Sequence, residues 1–401
     1  MANRLLKPYL LTGFLYKILV NYFRFYHLLT SLNAVSSRTK ESDPLKEFCG
    51  RSPISRFYKS FPKSKPRFYQ QFFRKMSRIR NSSYSGATTQ VIQETQIIEK
   101  PQKKEYKAQI VWSNVAFVVI VHSSALYGLY LAFTSAKWLT ILYGTYLYVI
   151  TGLGITAGVH RLWAHKAYKA KWPLRLLLAY WNTIAFQKSV FEWSRDHRVH
   201  HKFSETDADP HNVNRGFFFA HVGWLMLRKH PEVRSKGSVI DLSDLENDPI
   251  VRFQKKYYPF LVVLCCFYIP TILPNWLWGE SYWNAFFVSG MLRYCLVLNG
   301  TWLVNSGAHM WGYRPYNRFI NPADNKLIHI GTVGEGYHNY HHTFPWDYSA
   351  SELGYTLSLT TKFIDLMAWM GLAYDLKTVS PEIIKRRKET TGDGTVYNRR
   401  W

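Results

Sequence analysis

Four stretches of this chain carry almost no charge and are each long enough to cross a bilayer. They restrict the possible folds more than any other feature. Residues 111–133, 138–159, 257–278 and 282–304 each reach the roughly 20 residues that a helix needs to cross about 30 Å of hydrocarbon. Lipid offers no hydrogen bonds to a bare backbone, so such runs must be helices. Only Thr134–Lys137 separates the first two runs, and only Gly279–Ser281 separates the last two. The expected fold class is therefore an all-α integral membrane protein, with four transmembrane helices in two hairpins. Residues 160–256 and 305–401 then share one side and form a helical cap there. That side carries nearly all the Lys and Arg, whereas the outer turns offer Lys137 alone. The positive-inside rule makes the cap cytosolic. Pro259, Pro270 and Pro274 predict kinks in the third run, and Arg293 in the fourth predicts pairing inside the bundle. The apolar stretch 172–190 is short and interrupted, which predicts a helix along the interface or under the cap.

Residues 1–93 differ in character. No acid precedes Glu41, and only Glu41, Asp43 and Glu47 precede Glu94. The apolar stretch 10–32 is broken by Lys17, Asn21, Arg24 and His27, so it makes a poor span. This reads as a basic, disordered extension lying on anionic lipid or a non-native extension from a mistaken start site, with an organelle transit peptide as the alternative, ahead of a functional domain at 94–401. A formal charge of +25 calls for anionic partners. With no nucleic-acid fold signature present, a lipid surface or a phosphorylated substrate fits and nucleic acid does not. Cys49, Cys265, Cys266 and Cys295 show no metal or disulfide spacing.

Histidine carries the chemistry. His197, His200 and His201 stand at i, i+3 and i+4, which places three imidazoles on one helix face. The pattern recurs at His338, His341 and His342, and His160 and His165 form a third box. Together these make eight of the 15 histidines. His160 and His165 are five apart, off one face of a regular helix, so the helix is expected to end between them. His309, four residues after Asn305 at the end of the fourth run, joins the set. His27, His122, His211, His221, His230 and His329 have no partners at ligand spacing. So many imidazoles exceed what one tetrahedral ion uses, which predicts two metals. An all-imidazole set suits zinc, copper, iron or nickel. Beside an apolar cavity, redox chemistry with dioxygen at two iron ions uses both features. A hydroxylase-type oxidase and a histidine-rich metal transporter are the alternatives, and the second would need more polar spans.

These residues carry a resemblance. Leu-Gly-Ile-Thr-Ala-Gly-Val-His-Arg-Leu-Trp-Ala-His (153–165), Asp-His-Arg-Val-His-His-Lys-Phe-Ser-Glu-Thr-Asp-Ala-Asp-Pro-His (196–211) and Gly-Glu-Gly-Tyr-His-Asn-Tyr-His-His-Thr-Phe-Pro (334–345) are long, specific strings. With 301–306 and 387–394, they make the chain similar to the membrane acyl-CoA desaturases of animals, over about 97–394. The resemblance implies a di-iron enzyme of the endoplasmic reticulum membrane that places a cis double bond, at the delta-9 position, in long-chain acyl-CoA. It implies one iron on His160, His165, His197, His201 and His341. The other would take His200, His309, His338 and His342, with Asn305 acting through a water. Gln187, Trp193, Thr301 and Trp302 would line a bent acyl tunnel. Arg195, Asp196, Arg228 and Lys229 would lie near the CoA head group. Tyr148 and Gly152 would cap the tunnel between the first two spans. Electrons would come from cytochrome b5 and its reductase, since the chain holds no haem or nucleotide motif. The long basic extension and Lys188 depart from the family pattern.

Overall fold

The computed structural model describes residues 106–353 and 358–395. The basic extension expected at 1–93 lies outside them. Within the contact unit Glu105–Trp401, the main helices up to residue 310 are α1 (Trp112–Thr134), α2 (Trp138–Ala164), α3 (Trp172–Ala185), α4 (Val190–Phe203), α5 (Pro249–Trp278) and α6 (Tyr282–Met310). The helices α7 (Lys326–Gly331), α8 (His338–Thr343), α9 (Leu359–Trp369) and α10 (Pro381–Thr391) follow. One small antiparallel pairing joins Lys169–Ala170 to Ala373–Tyr374. The chain is a multi-pass, mostly helical membrane protein whose spans are α1, α2, α5 and α6.

Three spans outrun their hydropathy. α2 and α6 continue past 159 and 304, and α5 starts well before 257. Hydropathy marks the stretch that suits lipid, but caps decide where a helix ends. At α5 the Asp248 carboxylate accepts from the Ile250 amide at 2.9 Å, and proline fills the first turn. At α4, Ser189 and Glu192 form a capping box.

α5 and α6, joined by a short turn, pack on each other, but α1 finds its main partner elsewhere. The chief partner of α1 is the first half of α6. There Gly128 lies so close to the Phe287 carbonyl that a Cβ would stand 2.2 Å from its oxygen. A small residue permits that approach, as is common between membrane helices. α2 packs on α6 and α3. The buried Glu280 ties the two outer turns together. Its carboxylate accepts from the Lys137 amide (2.7 Å), the Thr140 hydroxyl (2.7 Å), the Ser281 amide (2.8 Å) and the Asn284 side chain (3.1 Å). Large apolar side chains such as Leu126, Phe133, Leu142 and Leu277 stay exposed, as lipid-facing positions should.

Three spans contain π-helical turns, over Gly154–Ala164, Val263–Tyr268 and Phe286–Leu292. Such turns frequently mark functional sites. In α5 the proline-rich run stays helical, with Pro259 and Pro274 inside helical segments. Arg293 is buried and faces the bundle interior. It donates to the carbonyls of Ile184 (2.9 Å), Cys266 (2.9 Å) and Ser289 (3.2 Å). Ile184 lies in the last turn of α3 and Cys266 in a π-turn, places where carbonyls lack regular partners.

Candidate metal centre

The π-turn at the end of α2 resolves the awkward spacing of the first box. Widening the helix brings residues five apart onto one side, and the His165 amide donates to the His160 carbonyl at 3.0 Å. The helix therefore does not end between His160 and His165. α4 and α8 each present the i, i+3, i+4 triplet, and α6 brings His309 at its last turn.

All nine imidazoles converge in two groups. In the first, His160, His165, His197, His201 and His341 offer ring nitrogens that all lie within 4.8 Å of one another. Nε2 atoms face each other at 3.0 Å for His160 and His341, 2.9 Å for His165 and His197, and 3.0 Å for His201 and His341. His200, His309, His338 and His342 form the second group. There His309 and His338 meet at 2.9 Å, and His338 and His342 at 3.1 Å. His201 and His342 stack with centroids 4.1 Å apart, which places the groups side by side.

Three carboxylates hold rings from behind. Glu335 lies 3.2 Å from His160 Nδ1 and 2.8 Å from Arg161. Asp209 lies 2.8 Å from His200 Nδ1, and Glu205 lies 3.1 Å from His309 Nδ1. A carboxylate on Nδ1 fixes the proton there and leaves the Nε2 lone pair pointing inward. Lone pairs of His160 and His309 then aim at the Nε2 atoms of His341 and His338 about 3 Å away, whose own Nδ1 atoms are buried without a hydrogen-bond partner. Nine converging imidazoles in two groups are a donor set that fits bound metal. Burial, reinforced by neighbouring imidazoles, drives His165, His197, His201, His338, His341 and His342 well below the usual histidine range. Neutral rings are the ligating form. Burial would raise Glu335, but Arg161 and His160 outweigh it and hold the carboxyl down to about 2. Burial would lower His200, and Asp209 overrides it to raise that ring.

A cavity of about 630 Å³, counting its mouth, opens from this centre. His160, His200, His338 and Asn305 line it at the imidazole groups, with Trp193 stacked on His197 there (centroids 4.8 Å); Thr156 and Thr301 line it further along α2 and α6, and Tyr148, Gly152, Gly300 and Val333 line it beyond them. Tyr148 and Gly152 face α6 and the segment after α7, not α1: the Tyr148 hydroxyl donates to the Gly331 carbonyl, and Gly152 opposes Val333. The reason is that α1 packs chiefly elsewhere on α6. Gln187 stands behind the wall and donates to Thr301 Oγ1 at 2.9 Å. Trp302 points off the cavity into the α1–α6 core, where it stacks with His122 (centroids 6.1 Å).

Of the residues expected at the head group, Asp196 is buried and already engaged. Lys188 and Lys229 both contact its Oδ2 at 2.7 Å, and Arg195 reaches Oδ1 at 2.9 Å. It holds three cations in place rather than standing free for a ligand. Burial would raise Asp196, but these three keep it well below the usual carboxylate range. Burial, followed by the Lys188 charge, brings Lys229 down to about 8 against the pull of Asp196. Phe186 and Lys188 both adopt positive φ (49° and 78°). That tight link aims Gln187 at Thr301 and Lys188 at Asp196. The Arg228 backbone pairs with Gln109 (2.8 Å) and Tyr106 (2.6 Å).

Sequence spacing missed the three carboxylates and His211. His211 is buried beside Asp209 (3.9 Å) and under Trp224, and burial with the nearby His200 lowers it to about 3. Glu205, Asp209 and His211 all fall in the loop after α4, where no helical period marks them. The continuation of the second string through 211 was the available signal.

Spans that hold two imidazole groups against an apolar cavity define a histidine-rich membrane protein whose groups could bind metal. The chain belongs to the fatty acid desaturase family, whose model matches residues 136–355. It is 59% identical over 297 residues, 74% of this chain and 83% of the relative, to an acyl-CoA Delta-9 desaturase of Acheta domesticus. A second Acheta domesticus protein, an acyl-CoA Delta12-desaturase, is 61% identical over the same shares. Stearoyl-CoA desaturase 5 of Bos taurus is 55% identical over 74% of this chain and 88% of its own. Family membership sets aside the metal transporter.

Proposed function

We propose that the protein is a dioxygen-dependent desaturase that places a cis double bond at the delta-9 position of long-chain saturated acyl-CoA. The observation that carries this reading is the pair of imidazole groups at one end of an apolar cavity between α2 and α6. The net reaction takes two hydrogens from adjacent methylenes. With two further electrons and two protons, dioxygen leaves as two waters. Two iron ions, held by the five- and four-histidine groups with Asn305 beside the second, would supply the dioxygen activation. The protein's own part is position. α2 and α6 hold one methylene pair at the metal end, and Thr301, braced by Gln187, and Trp193 shape the passage. The closed apolar wall keeps water from the reacting carbons. Glu335, Asp209 and Glu205 keep protons on the outer nitrogens so that the inner ones stay free. The cations gathered by Asp196 suit the phosphates of CoA.

The charge asymmetry along the chain supports a cytosolic histidine side, in the endoplasmic reticulum membrane. Electrons would come from an external donor, cytochrome b5 with its reductase. Relatives of nearly equal identity are named for different bond positions, so the decisive test reads position directly. Desaturase-deficient cells expressing this chain should accumulate delta-9 monounsaturated fatty acids by gas chromatography, and His200→Ala should make none at equal expression. A delta-11 or delta-12 product would correct the position, and no unsaturated product would overturn the activity.

A further inference from the structure

Gly152 has no side chain, so it cannot itself close the far end of the cavity. What stands there is Val333. The Cγ2 of Val333 lies 2.6 Å from where a Cβ on residue 152 would be built. Val333 also lines the cavity, beside Tyr148 and Gly300. Its φ is +60°, which a β-branched residue adopts only when its surroundings enforce it. Here they do. The Val333 carbonyl accepts from the Thr360 hydroxyl at 2.7 Å and from the Thr360 amide at 3.3 Å. Thr360 in turn meets Thr156 of α2 at 2.7 Å. The next residue, Gly334, donates its amide to the His329 carbonyl at 3.1 Å.

One residue further on, Glu335 grips His160 and Arg161. A single three-residue stretch thus carries both the end wall and a carboxylate that orients a metal-group histidine. α2 spans the same interval on the opposite side. We infer that Val333 is a specificity-determining residue: its isopropyl group, held at a fixed distance from the metal end by Thr360 and Glu335, limits acyl-chain length. This deepens the desaturase reading and rests on it.

The test offers purified protein, or cells expressing it, a mixture of fourteen- to twenty-carbon saturated acyl-CoAs and measures the products together. Val333→Ala and Val333→Gly should shift the kcat/KM ratio toward longer chains, and Val333→Ile toward shorter ones. Each shift should be roughly tenfold, the scale of one methylene in an apolar pocket. The double bond should keep its distance from the thioester, because the metal end is untouched. The ratio is internal to each preparation, so altered yield does not affect it. Gly152→Ala supplies a second reading: its added methyl meets Val333, so its shift should be largely undone in Gly152→Ala with Val333→Ala. A purely structural role for Val333 predicts coupling in stability but none in the chain-length ratio. Ratios that stay fixed while the parent protein is active, or Val333 variants inactive on every chain, would overturn the wall. A parent protein inactive on every chain would overturn the desaturase reading itself.

Discussion

Glu335 is the residue on which the most geometry depends. It is buried, held ionised by Arg161, and orients both His160 and the segment that carries Val333. Glu335→Gln keeps the shape but removes the charge that fixes the proton on His160. Loss of such an outer partner typically costs 10–100-fold in metal affinity or activity. The variant should therefore lose bound metal at chelator concentrations that leave the parent loaded, read by elemental analysis of the protein itself. A second residue-scale expectation concerns Lys229. Lowered to about 8 by burial and by Lys188, it is charged below that pH and neutral above it. The site loses one positive charge as pH rises through 8, so the KM for acyl-CoA should climb there. Lys188→Asn removes one of the causes of the lowering, so the climb should begin at higher pH. A KM profile that ignores pH between 7 and 9 in both proteins would remove Lys229 from the head-group site. At this scale the clustered histidines were legible because helical spacing repeats them. The carboxylates behind them were not, since loops supply Glu205, Asp209 and Glu335 and a fold must bring them in.

At the scale of elements, hydropathy located four spans because lipid imposes apolarity over a fixed length. It could not show the π-turns, which change the hydrogen-bond step and leave composition untouched. That is why His160 and His165 looked mismatched. Arg293 was legible as an interior residue but its partners were not. It serves carbonyls from α3, α5 and its own helix. Arg293→Met leaves the Ile184 and Cys266 carbonyls unpaired in a dry interior, at a cost of about 1–3 kcal/mol for each unsatisfied group. The variant should unfold at lower temperature in detergent than the parent. Arg293→Lys should recover little of the loss, because a single ammonium lacks the planar fork that reaches separate carbonyls. An unchanged unfolding midpoint in Arg293→Met would show that the carbonyls find other partners.

The molecule as a whole divides at Lys104, and the spans, both imidazole groups and the cavity belong to Glu105–Trp401. The family match begins later still, at residue 136. The described chain is already anchored at its start: the Tyr106 hydroxyl donates to the Arg228 carbonyl at 2.6 Å, and Ile110 pairs with Leu227. Every residue named in the proposed reaction lies among the described residues. The few acids and many cations of residues 1–90 suit attraction to anionic lipid, worth about 1 kcal/mol for each basic residue near the surface. Four hydrophobic spans exceed that attraction as anchors. A variant lacking residues 1–90 should thus insert in the same membrane and yield the same fatty-acid profile by gas chromatography. The competing expectation is that an Arg-rich, acid-poor beginning directs the protein to an organelle. Fluorescence imaging of full-length and shortened protein separates the two. Mitochondrial full-length protein that returns to the reticulum on deletion would make the extension an address; identical reticular patterns would leave it a lipid-surface arm.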